Sequence, residues 1–215
     1  MKINWRKRFS IQGFLVSVCL FVSIGCFSQF GYIKTKAYVA QILLNTAWEK
    51  TQEQYQIKNQ SDIFLKVKPW PWADIFPVGK LTVPRLKVSY IVLNSDSGQA
   101  LAFGPGLSAV NNKLVSDAYS TQVISGHRDS HFEFLANIVI GDEFVFESTS
   151  GQVKNFIVNH SFVIDTRVDQ LYFPDNIDNQ SLGLVLITCY PFNSATASTP
   201  FRLVVEANEF NNNTI

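Results

Sequence analysis

Apolar positions follow two different rhythms along this chain, and the change falls near residue 69. Residues 9–33 contain no charged side chain, a stretch long enough to span a bilayer, which takes roughly 20 apolar residues. It is longer than the apolar core of a secretory signal peptide, roughly 7–15 residues. Lys2, Arg6, Lys7 and Arg8 precede it, and a basic flank of this kind stays on the cytoplasmic side. The pattern therefore predicts one transmembrane helix, with the N-terminus in the cytoplasm and everything after Lys34 outside the inner membrane. A signal peptide cleaved before Cys26, or a lipoprotein site at Cys26, fits the same segment less well. Beyond it, Ala37, Ala40, Gln41, Leu44, Ala47 and Trp48 recur at helical spacing and predict a stalk helix. Residues 52–61 are polar and read as a linker.

From Gly79 onward the period shortens to that of strands. Residues 81–84 and 88–93 are short β-rich runs, with a turn over 94–98. Pro84 confines the first run to an edge or a break. Ala102-Phe-Gly-Pro-Gly106 is a tight turn, residues 121–125 a strand, and residues 131–136 a short helical turn. A hairpin is predicted from residues 143–147 and 152–165 across Ser148-Thr-Ser-Gly151. Residues 184–188 and 201–206 complete the set. This many short strands with few helices point to a closed or nearly closed β-barrel. Ahead of it, Pro69-Trp-Pro-Trp-Ala-Asp74 reads as an ordered segment packed on a sheet surface or, alternatively, as a lid. The Asn-rich residues from Asn208 read as a frayed tail. The organisation expected is a basic segment at 1–8, an anchor at 9–33, stalk and linker at 34–68, a β-barrel domain at 69–207 and a tail at 208–215.

Composition changes this picture little. The chain has 215 residues, 47% hydrophobic and 16% charged, which allows a sizeable core and argues against disorder. A net charge of +1 gives no case for nucleic-acid binding. Cysteine usage is more informative. Cys19 and Cys26 fall inside the apolar run, so Cys189 is the single thiol of the exported part. A lone cysteine in an oxidising compartment is either buried filler or a working thiol. Its place, at the end of the apolar run Leu184-Val-Leu-Ile-Thr and before Tyr190-Pro191, favours the working thiol.

A thiol near neutral pH is only a few per cent thiolate, so a reactive cysteine needs a partner that favours the anion or takes its proton. His127, in Val123-Ile-Ser-Gly-His-Arg-Asp129, is the first candidate, because it leaves a strand end after Gly126. His131 opens the helical turn and is the second candidate. His160 shares a strand face with Phe156, Val158, Phe162 and Ile164 and reads as a core or surface histidine. No histidine pair has metal-ligand spacing with Cys189, and no acidic cluster marks a calcium site, so neither metal nor cofactor is expected. Arg202 stands inside Phe201-Arg-Leu-Val-Val205. There it either pairs with an acid such as Glu206 or faces a cleft, where a guanidinium can hold a carbonyl and stabilise an oxyanion. Arg128 and Asp129 are expected to fix the histidine loop by pairing. Thr188 has two readings, as a contact to thiol or substrate or as a plain strand-end threonine.

In this order and context, Gly126-His127-Arg128, Thr188-Cys189 after an apolar strand, and Arg202 resemble the sortase series of motifs. Pro69-Trp-Pro-Trp, Val83-Pro-Arg-Leu86 and Leu101-Ala-Phe-Gly-Pro-Gly106 are similar to the proteobacterial branch, often called class GN or marine proteobacterial sortases. The resemblance runs from about Pro69 to Ala207. It departs at Leu107, where relatives commonly carry histidine, and in the Asn- and Lys-containing loop that follows. The resemblance implies an all-β, eight-stranded sortase-type barrel with short helices, and a membrane-anchored cysteine transpeptidase without cofactor. Cys189 would cleave an exported partner protein at a C-terminal sorting motif through a thioester. His127 would act as acid and base, Arg202 would hold substrate and oxyanion, and an amine would take the acyl group.

Papain-like peptidases place cysteine before histidine, the reverse of this chain. L,D-transpeptidases have the right order but a Ser-x-Gly-Cys context and a shorter gap. A membrane-tethered barrel that binds a partner without catalysis is the alternative from another class.

Overall fold

The structure is a computed structural model that describes residues 5–57, 66–108, 121–169, 183–194, 196 and 199–210. A long helix, α1 (Trp5–Ile57), opens the chain. Two compact units divide it, Met1–Ile42 and Leu43–Ile215. In the first, the side chains described within the apolar run are those of residues 13–24, and Phe14, Leu15, Val16, Leu20, Phe21 and Val22 are all exposed. Among the described residues no helix is long and apolar enough to cross a membrane. Much of the predicted span, residues 9–12 and 25–33, lies outside the described side chains.

The second unit is a closed barrel of β1 (Pro77–Val83), β2 (Val88–Leu93), β3 (Gly106–Leu107), β4 (Gln122–Ser125), β5 (Glu143–Ser148), β6 (Val153–Asp165), β7 (Gly183–Cys189) and β8 (Phe201–Glu209). The order around the barrel is β1-β2-β3-β4-β7-β8-β6-β5, closed by β5 against β1. Most neighbours are antiparallel, but β2 and β3, and β4 and β7, run parallel. Two short helices interrupt the strands: α2 (Gly98–Leu101), capped by the Ser97 hydroxyl on Ala100 N, and a 3-10 helix (Glu133–Asn137). The predicted strands are all present. β8 runs beyond the expected boundary at Ala207, because Asn208 pairs with Gly183 and Glu209 with Phe156. Residues 52–57, read as linker, are helical.

Inward-pointing residues fill the barrel: Leu81 and Val83, Val92, Leu107, Ile124, Phe144 and Phe146, Phe156 and Val158, Leu184 and Leu186, and Leu203 and Val205. Leu107, the departure from the family pattern, is therefore a core residue opposite Ile124; the loop that follows it lies outside the described residues. A second cluster joins Leu44 and Trp48 of α1 to Ala73, Ile75, Ile91, Leu93 and Ala100. The final turns of α1 are thus a packed element of this unit. In the Pro69–Asp74 segment, Trp70 packs edge-on against Phe103 at 5.2 Å, whereas Trp72 is 80% exposed. A third, smaller cluster holds Val123, Val185 and Val204 with Ile164 and Ile187. It draws only on the adjacent strands β4, β7, β8 and β6, on the face that looks away from the barrel interior.

Candidate active site

Strand register assembles the site. Ser125 of β4 aligns with Ile187 of β7, and these strands run parallel. Two residues beyond that pair, His127 follows the end of β4 after Gly126, and Cys189 is the last residue of β7. β8 is antiparallel to β7 and sets Arg202 directly opposite Cys189. Three adjacent strands, about 4.8 Å apart at the backbone, so bring imidazole, thiol and guanidinium to one barrel mouth. Side chains alternate along a strand. Leu184, Leu186 and Thr188 point inward, while Val185, Ile187 and Cys189 share the outer face with Val204 and Arg202.

Hydrogen bonds fix the strand ends. Gly126 N donates to Ile187 O at 3.1 Å, and the Thr188 hydroxyl donates to Gly126 O at 2.7 Å. Thr188 is only 2% exposed. Of its two readings, the geometry matches the strand-end one, with the hydroxyl proton committed to β4. The φ of Gly126 is not positive. Its constraint is space: a Cβ there would sit 2.6 Å from the Phe132 ring, which is fully buried. The loop then turns through Phe132 N, which donates to His127 O at 2.9 Å.

The two histidine candidates separate. His127 is exposed at the mouth. His131 is half-buried, its ring edge-on to Tyr90 at 5.7 Å. Burial pushes the His131 imidazole below its ordinary pKa; the neighbouring His127 adds to this, and Asp129 opposes it. His160 is an exposed surface residue with Nδ1 3.6 Å from Glu206 Oε2. Glu206 is therefore beside His160, and among the described residues Arg202 has no acidic partner. Its NH1 group donates instead to the carbonyls of Thr199 and Phe201. Cys189 is a free, half-buried thiol.

Arg128 departs from expectation. It does not pair with a carboxylate among the described residues; it is 8% exposed and donates from NH2 to Ser194 O at 3.1 Å and Thr196 O at 2.6 Å. It thereby ties the histidine loop to the segment between β7 and β8. A loop-fixing arginine directly after the candidate base was expected; its partners, two backbone carbonyls, were not.

Just past Cys189 lies a groove of about 430 Å³. Tyr190 to Asn193, residues Leu135, Ala136 and Ile138 beside the 3-10 helix, and Ser161 and Leu203 line it, none of them charged. His127, Cys189 and Arg202 lie outside this lining. Chemically, a thiol with an imidazole and a guanidinium at one sheet edge suits acyl transfer: nucleophile, proton carrier and oxyanion partner.

A family model described as the sortase domain matches residues 81–210. No curated protein matches the chain. Among solved structures, a lid mutant of sortase A from Corynebacterium diphtheriae is 18% identical, with a TM-score of 0.55 over 79% of this chain and 95% of that one. Sortase C of Streptococcus pneumoniae is 19% identical, TM-score 0.53, over 80% and 90%. Sortase C1 of Streptococcus suis is 19% identical, TM-score 0.52, over 63% and 73%. At these identities the structural likeness shows the fold.

Proposed function

The chain belongs to the sortase family, cysteine transpeptidases that act on sorting motifs, and on that premise we propose that it is a membrane-anchored transpeptidase using Cys189, His127 and Arg202. The observation that carries the reading is the register: Arg202 lies opposite Cys189 on β8, and β4, whose end leads through Gly126 to His127, runs parallel to β7 with Ser125 beside Ile187. The Cys189 thiolate attacks the carbonyl carbon of the scissile peptide bond in a C-terminal sorting motif. His127, as the imidazolium, gives its proton to the departing amine, and the acyl group remains on sulfur as a thioester. An incoming amine then attacks the thioester, His127 takes its proton, and the Cys189 thiolate leaves. Water is the competing acceptor. Arg202, whose NH1 is seated on two backbone carbonyls, directs its remaining donors toward the substrate carbonyl and the oxyanion.

The anchor is the apolar run 9–33, supported by its basic flank and by the exposed apolar side chains at Phe14 to Val22. It places the barrel on the outer side of the cytoplasmic membrane, where an exported protein is the substrate. Pro69-Trp-Pro-Trp, Val83-Pro-Arg-Leu86 and Leu101-Ala-Phe-Gly-Pro-Gly106 support membership of the proteobacterial, class GN branch.

The test compares membrane proteomes of cells carrying the native protein and Cys189→Ala. A protein whose C-terminal tail survives only with the variant is the expected result, and it names substrate and cut. If a well-expressed variant changes no tail while exported proteins are being made, the reading fails and the barrel is a tethered binding module.

A further inference from the structure

We propose that Arg128 is a positioning residue for this reaction, holding the His127 loop against the segment that follows Cys189. The inference rests on the transpeptidase reading above. Among the described residues the His127 ring accepts and donates no hydrogen bond, and none of their side chains orients it in the way a carboxylate orients the base of a catalytic triad. The described contacts that fix its position lie in the backbone on either side. On one side, Gly126 is tied to β7 through its N–H to Ile187 O and its carbonyl from the Thr188 hydroxyl. On the other side stands Arg128, whose NH2 reaches Ser194 O and Thr196 O. His127 is thus bracketed by two anchors, each ending on the chain that carries Cys189, one before the cysteine and one after it.

The energetics of Arg128 fit positioning better than stability. Its guanidinium is buried without a carboxylate among the described residues, and NH1 is buried with no hydrogen-bond partner. A residue kept only for stability would do better with an apolar side chain of similar volume than with a partly satisfied buried charge. A planar fork, by contrast, can fix the direction of a backbone segment, because its donors are rigid relative to one another.

The experiment needs no substrate. Full-length protein in detergent is labelled with iodoacetamide across pH, and the mass of the Cys189 peptide gives the rate at that thiol alone, apart from Cys19 and Cys26. On the transpeptidase reading, the rate profile of the native protein is expected to carry a limb that depends on His127 and is removed by His127→Ala. Arg128→Met keeps the stem and loses the donors; it is expected to lower the rate on that limb roughly tenfold, as a small displacement of a reacting group does. Arg128→Lys recovers part of the limb. If His127→Ala leaves the native profile unchanged, the thiol–imidazole reading falls and the positioning role falls with it. If His127→Ala removes the limb but Arg128→Met retains it, only the role of Arg128 is overturned. Equal losses in the Lys and Met variants also overturn it, since the donors would then not be what matters. If the Met variant does not fold, Arg128→Gln replaces it: a weakened limb supports the proposal and a native limb refutes it.

Discussion

The sheet formed by β4, β7 and β8 carries two different regions back to back. Its inner face presents Ile124, Leu184, Leu186, Leu203 and Val205 to the main core, together with residues from the rest of the barrel. Its outer face presents Val123, Val185, Val204 and Ile187, and at the strand ends Cys189 and Arg202. Both faces bury apolar side chains, yet only the outer one ends in chemistry. One residue of alternation separates them: Thr188 closes the inner face with a hydrogen bond, and Cys189, the proposed nucleophile, ends the outer one. The fold thus lets residues adjacent in sequence answer to different demands, stability for one and reactivity for the next.

Substitutions on the two faces should separate these demands. Cys189→Ala is expected to abolish tail removal while shifting stability by no more than about 0.5 kcal/mol. Leu186→Ala, three residues earlier and on the other face, should cost about 2–5 kcal/mol as a cavity opens in the core. Protein that remains folded should keep its Cys189 labelling profile. Thermal or urea unfolding alongside labelling tests both, and a Cys189→Ala protein destabilised as much as Leu186→Ala would break the comparison. Thr188→Val sits on the boundary. It preserves shape but strips the donor from the buried Gly126 carbonyl, an expected cost of about 1–3 kcal/mol, and it should slow Cys189 chemistry by releasing the end of β4. A Thr188→Val variant that is less stable but labels normally would assign Thr188 to stability alone.

Away from both faces, Arg85 in the turn between β1 and β2 binds Asp142, and its NH2 reaches Asn137 O at 2.7 Å. The Arg85 guanidinium, hydrogen-bonded to it, holds the Asp142 carboxyl below the usual range, helped by Val139 N. A depressed folded-state value stabilises the fold above the ordinary carboxylate pKa, and that contribution is lost as pH falls through the folded value. Arg85→Ala should therefore flatten the acid limb of stability below about pH 4 and leave Cys189 labelling unchanged. The smallest effect is expected at Asp165, where the Arg167 side chain, followed by the Arg167 N–H, lowers the carboxyl to about 2. Arg167→Ala should return it toward its ordinary value in an NMR titration, with the site unaffected.

Much of the barrel was legible because strand signals are local. β2, β4, β7 and the β5–β6 hairpin lie where short β-rich runs end at Gly, Pro or Ser. The thiol, imidazole and guanidinium were legible as residue types at strand ends. Other features were not. Gly126 was legible only as the residue before the histidine, and the Phe132 ring packed beneath it shows that the missing Cβ is what matters. Arg202 had Glu206 as a ready partner in sequence, but Glu206 lies beside His160, and the guanidinium turns to Thr199 and Phe201. Arg128 was expected to find an acid and instead finds two carbonyls more than sixty residues away in the chain.

The sequence by itself determined the strands, the order histidine, cysteine, arginine, and the charge-free run near the start, because each depends on composition and period within a few residues. It could not determine which face of Leu184–Cys189 turns inward, since both faces are apolar and a period of two marks alternation without direction. Closure of the barrel decided that, by sending Leu184, Leu186 and Thr188 to the common core and leaving Cys189 outside. Register decided the rest: β4 parallel to β7 sets Ser125 beside Ile187, and β8 antiparallel to β7 sets Arg202 opposite Cys189. Those pairings join residues far apart in the chain, and only packing of the whole barrel selects them.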